Sequence, residues 1–97
     1  MEKRDLKTWR RVFGKVKGAF GETDFDKKVI KVDRSKHKNK ALYNVPKKDS
    51  SLINTLVHEN MHAEYPKMTE KQVKKKTRTK LKKMGRKQKL KVYSQFK

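Results

Sequence analysis

The chain contains no cysteine. That excludes disulfides, thiolate zinc sites and thiol nucleophiles, and leaves histidine and carboxylate as the side chains able to hold a metal. No apolar run approaches the roughly 20 residues needed to cross a bilayer. The N-terminal MEKRDLKTWRRV has no stretch of signal-peptide type, so a cytoplasmic protein without a membrane span is expected. No internal repeat and no linker rich in Pro, Gly or Ser divides the 97 residues, which sets one small domain as the ceiling. Acidic residues are scarce, 10 against 30 Lys and Arg, giving a net charge of +20 at pH 7 with neutral histidines.

None of the acids lies beyond Glu70. Residues 71–97 carry 13 basic side chains and no acidic one, whereas residues 1–70 carry 17 basic and all 10 acidic ones. A chain repelling itself this strongly is stabilised by polyanions, so phosphate backbones or acidic lipids are the natural partners and charge alone does not choose between them; DNA or RNA is the partner weighed for the cationic end. The exposed cations expected to meet phosphates are Lys74, Lys75, Lys76, Arg78, Lys82, Lys83, Arg86 and Lys87. The same segment holds Val73, Leu81, Met84, Leu90, Val92, Tyr93 and Phe96, which a disordered tail would lack. With 32% apolar and 41% charged residues the core is modest, and a bound metal would help to stabilise it.

Hydrophobic spacing outlines the elements. Leu6, Trp9, Val12 and Phe13 predict a helix over about residues 4–13, ended by Gly14, with Trp9 and Phe13 as core residues. Residues 15–21 and 28–33 read as a hairpin, with GETDFDK as its polar turn. ALYNV at 41–45 is open between strand and loop. Asp49 or Ser50 can cap a helix that Pro66 forbids from running much beyond Glu64. On it Leu52, Ile53, Leu56, Val57 and Met61 share one half of the wheel, and His58 and His62 project from the other. Thr69 and Gln72 form a capping box for a helix running to about Met84, with Gly85 as its stop. A last helix over about 87–96 follows.

The informative segment is His58-Glu59-Asn60-Met61-His62, an HExxH sequence within a helix. Spacing of four puts two imidazoles one turn apart, close enough to share one Zn²⁺. Glu59 lies beside that line, placed to take a proton from metal-activated water and deliver it to a leaving amine. The implied reaction is peptide hydrolysis without a covalent intermediate. A catalytic zinc takes a third protein ligand. Glu70, in the first turn of the next helix, can fold back over the histidine helix, whereas Glu64 points away from His62 if the helix persists. His37, in SKHKNK, reads as a surface histidine, and Tyr43, Tyr65 and Tyr93 as packing residues with polar tips.

The stretches VFGKVKGAFGETDFDKKVIKVD and LINTLVHENMHAEYPKMTEKQV resemble the hairpin and active-site helix of small HExxH zincin-like proteins. Many of these are encoded by bacteriophages and are related to Spartan-type and minimal gluzincin metallopeptidases. The resemblance covers roughly residues 11–83. It implies an α+β zincin-like domain with an N-terminal helix, a β-hairpin, the HExxH helix and basic C-terminal helices. It implies His58, His62 and Glu70 as zinc ligands, Glu59 as general base, and a peptide or protein substrate. The domain would span 1–84, with 85–97 as a basic helical extension. The hairpin's edge strand would lie beside the cleft, where an extended substrate can pair with it. Asn60, where the family commonly has an apolar or small residue, and the heavy cationic end depart from the pattern.

Overall fold

The computed structural model describes residues 3–37 and 51–97. Their order is β1 (Arg10–Phe13), β2 (Gly21–Asp24), β3 (Val29–Val32), a 3-10 turn (Arg34–Lys36), α1 (Leu52–Glu64), α2 (Glu70–Lys83) and α3 (Arg86–Ser94). The described residues form a small α+β fold, with a three-stranded mixed sheet and three α-helices among them. No helix among the described residues is long and apolar enough to cross a membrane. ALYNV, Tyr43, Asp49 and Ser50 fall outside the described residues.

The expected N-terminal helix does not form. Residues 3–9 are irregular, and Arg10–Phe13 pairs in parallel with Val29–Val32. Arg10 N–H donates to the Lys28 carbonyl and Gly14 N–H to that of Val32, each at 3.0 Å. The helical spacing was real as burial but not as secondary structure. Leu6 and Trp9 reach the core from an irregular segment, and Val12 and Phe13 suit a strand. Pairing with β3 overrides the local preference.

The hairpin exists but is shifted. Its first strand is Gly21–Asp24, antiparallel to β3, and the turn is Phe25–Lys28, with Lys28 at a φ of 53°. Residues 15–20 instead form the loop between β1 and β2. Asp33 anchors it: a carboxylate oxygen accepts Val16 N–H at 3.0 Å, and its own N–H donates to the Phe20 carbonyl at 2.8 Å. Hydrogen bonds from the Ser35 hydroxyl and the Val16 amide outweigh burial, which acts the other way, and hold the Asp33 carboxyl below the usual range.

Strand order is β1-β3-β2, so β2 is an edge strand. Ile30 and Val32 of the central strand are fully buried in a core with Leu52, Ile53, Leu56 and Val57 of α1. Helix α1 touches β2, β3, α2 and α3, and is the element around which the rest is built. Ser51 caps it, its hydroxyl accepting Asn54 N–H at 3.3 Å. In α2 only Val73, Thr77 and Leu81 are buried, one stripe at intervals of four. Gly85 does more than end α2: it is the N-cap of α3, its N–H donating to Gln88 Oε1 at 3.0 Å.

Thr77 is fully buried and its hydroxyl has no hydrogen-bond partner among the described residues. Valine keeps the shape and removes the orphaned group. Thr77→Val is therefore expected to stabilise the protein by about 1 kcal/mol, the cost of a buried unsatisfied hydroxyl. A rise in the denaturation midpoint at constant slope is the readout; a fall shows that the hydroxyl is used.

Candidate metal centre

The chain ends α1 at Glu64, where Tyr65 N–H closes on the Met61 carbonyl at 2.9 Å ahead of Pro66. It then turns back through Met68, whose N–H donates to the Tyr65 carbonyl at 3.0 Å. Met61, Met68 and Val73 form a separate apolar cluster, with Tyr65 packed on it, that clamps the start of α2 against the end of α1. The Thr69–Gln72 capping box is formed as its sequence predicts. These local devices set Glu70 over the histidine strip of α1.

Of the residues of α1, only His58, His62 and Glu64 are not buried. The core face and the histidine strip are separate as expected, but Asn54, Thr55, Glu59 and Asn60 are buried too, so the rest of the polar half does not face water. Glu70 Oε1 lies 2.9 Å from His58 Nε2, and Glu70 Oε2 lies 2.7 Å from His62 Nε2. The two Nε2 atoms are 3.1 Å apart. Burial pushes the Glu70 carboxyl up, but the charge of His58 and the hydrogen bonds from both histidines outweigh it and leave the group below the usual range.

Could these residues hold a metal? Tetrahedral bonds of about 2.0–2.1 Å place donor atoms about 3.3–3.4 Å apart, so the three side chains need only spread by a few tenths of an ångström. Protons alone serve the cluster poorly. If both Nε2 atoms carry hydrogen, each donates to Glu70 but they face each other as two donors; if one does not, its bond to the carboxylate is lost. A cation between them would use all three lone pairs. The donor set, two imidazoles and a carboxylate, suits zinc.

Glu59 stands apart from this cluster. Its Oε2 accepts the Thr23 hydroxyl of β2 at 2.7 Å. Gly21 makes the approach possible: a Cβ there would lie 3.0 Å from Glu59 Cγ and 3.2 Å from the Lys31 carbonyl oxygen. Neither Gly21 nor Thr23 was singled out by the sequence, which placed both in or beside a turn. Asn60 faces another way and accepts a hydrogen bond from Arg11 Nε at 2.9 Å.

Glu64, the rival ligand, does not reach the histidines and pairs with Lys3 at 3.2 Å. His37 is not the surface residue its basic surroundings suggest. It is 2% exposed, with Nδ1 2.7 Å from the Asp33 carbonyl oxygen and Nε2 2.8 Å from the Thr55 hydroxyl. Nδ1 thereby closes the 3-10 turn on its own N-cap residue, and Nε2 joins the turn to α1. Tyr65 and Tyr93 pack as expected, Tyr93 with its ring 5.6 Å from that of Phe13. All eight cations named for phosphate contact, Lys74, Lys75, Lys76, Arg78, Lys82, Lys83, Arg86 and Lys87, are exposed.

Comparison with known proteins gives no match among family models, curated proteins or solved structures.

Proposed function

We propose that the protein is a minimal zinc-dependent metallopeptidase, with His58, His62 and Glu70 as metal ligands and Glu59 as general base. The observation that carries the reading is the convergence of His58 Nε2, His62 Nε2 and the Glu70 carboxylate within 4.8 Å of one another on the accessible strip of α1. Three protein donors leave a fourth position for water, the composition of catalytic rather than closed zinc sites. When bound, zinc supplies a Lewis acid that polarises a carbonyl and acidifies water. Glu59 supplies the proton acceptor, held by Thr23 on the strand next to the helix. The outer edge of β2 is unpaired among the described residues and packs beside α1, so an extended peptide can add to it by main-chain hydrogen bonds.

Metal analysis and a peptide-release assay test this together. The wild type is expected to bind one zinc and to release peptides. Glu70→Gln, which keeps the shape but lowers ligand strength, should lose most of the zinc, while Glu64→Gln should keep it. A wild type that refuses added zinc and cleaves nothing overturns the proposal. Loss of metal in Glu64→Gln alone moves the third ligand.

A further inference from the structure

A second site lies on the far side of α1. Asn60 and Glu64 are roughly 160° around that helix from the histidine strip, at 100° per residue. They line a cavity of about 810 Å³ whose other walls come from the N-terminal segment, β1, α2 and α3. Among the described residues six cations line it: Lys3, Arg4, Lys7, Arg11, Lys80 and Lys91. Its two carboxylates each already face a lysine, Glu64 with Lys3 at 3.2 Å and Asp5 with Lys7 at 3.9 Å. The adjoining cavity of about 590 Å³ shares Lys3 and Lys80 and adds Lys75, Lys76 and Lys83.

We propose that this cavity binds the sugar–phosphate backbone of a single-stranded nucleic acid, with Lys80 and Lys91 as phosphate contacts and Arg11 as a fixed guanidinium in its wall. Lysines at the end of α2 complement that helix's dipole, but the dipole does not explain why three basic residues of the N-terminal segment and Lys91 of α3 point at the same space. Arg11 is pre-positioned, its Nε held by Asn60 at 2.9 Å. Such a guanidinium contacts an anion at little cost in side-chain order. The size falls within the range of about 300–1,000 Å³ that encloses a small ligand; a strand enters it, and a duplex, which carries its phosphates on the outside of a wide cylinder, does not. The concavity argues equally against a flat lipid surface. No aromatic ring lines the cavity among the described residues, so the binding proposed runs through the backbone without base stacking and without sequence preference. The exposed Lys82 and Lys87, named from the sequence, are not part of it.

The test is a titration of fluorescein-labelled oligo-dT with the full chain between about 50 and 200 mM salt, the range over which phosphate contacts lose affinity steeply. The wild type is compared with Lys80→Gln/Lys91→Gln and with Lys82→Gln/Lys87→Gln, which lowers net charge equally outside the cavity. The first pair is expected to flatten the slope of log affinity against log salt by about 1.4, at 0.7 per lost contact on a single strand. The second pair should change it little, and melting temperatures of both should match the wild type. Equal losses in the two pairs, tighter binding of a duplex, or displacement by polyglutamate as effective as by unlabelled oligo-dT overturns the proposal. None of these readouts depends on zinc, so the outcome stands apart from that of the peptidase assay.

Discussion

Glu59→Gln is expected to reduce peptide release by about 10²- to 10⁴-fold, the usual contribution of a positioned general base, while zinc content stays at the wild-type value. The substitution is nearly isosteric, and the carbonyl oxygen of glutamine can still accept the Thr23 hydroxyl that now sits 2.7 Å from Glu59 Oε2. Helix α1 and its packing against β2 are therefore retained. What is lost is the capacity to take a proton when water attacks and to return it to the leaving amine, because an amide oxygen is a very weak base. Thr23→Val frees the same carboxylate without removing it and should cost less activity than Glu59→Gln. Undiminished release by Glu59→Gln, from protein with its full zinc content, would remove Glu59 from the reaction. Loss of both zinc and activity would show instead that the substitution damages the histidine strip.

The elements carrying the histidines and Glu70 could be read from the sequence because their determinants are local. Thr69 and Gln72 make their capping box within four residues, Pro66 limits α1 from the next turn, and Leu52, Ile53, Leu56 and Val57 repeat with the helical period along one element. The strands were harder for the opposite reason. Arg10–Phe13 is a four-residue strand whose partner, Val29–Val32, is separated from it by a loop and another strand. Nothing within RRVF announces that pairing. GETD looks like a turn because it is polar, yet Thr23 is polar where it meets the Glu59 carboxylate, and Gly21 is small where the helix comes close. His37 shows the same limit: its burial depends on Thr55 of α1, 18 positions along the chain. Residues whose surroundings are supplied by distant segments are the ones that composition and period misplace.

Phe96→Ala should cost about 3–5 kcal/mol, the range for truncating a buried aromatic, against a total stability of about 5–15 kcal/mol for an ordinary domain. A core drawn from 32% apolar residues places this protein toward the lower end. Phe96 is 4% exposed and belongs to the same apolar cluster as Trp9, Ile30 and Leu56. Its ring lies 5.7 Å from that of Phe13, which also meets Tyr93 at 5.6 Å. The Arg34 guanidinium covers Phe13 and Tyr93 at 5.1 and 5.5 Å from their ring centres. Beyond Phe96, Lys97 N–H donates to the Arg11 carbonyl at 3.0 Å, attaching the end of the chain to β1. Leu90, in α3, stays 41% exposed, so Leu90→Ala is the control and should change stability little. Removing residues 86–97 takes away Phe96, Tyr93 and Val92 together and should leave a chain that no longer unfolds cooperatively, whatever zinc is supplied. A truncated protein that keeps a sharp thermal transition would show that the cationic end is an appendage. Its loss would show that the basic side chains of α3 are the solvent face of a helix the core requires.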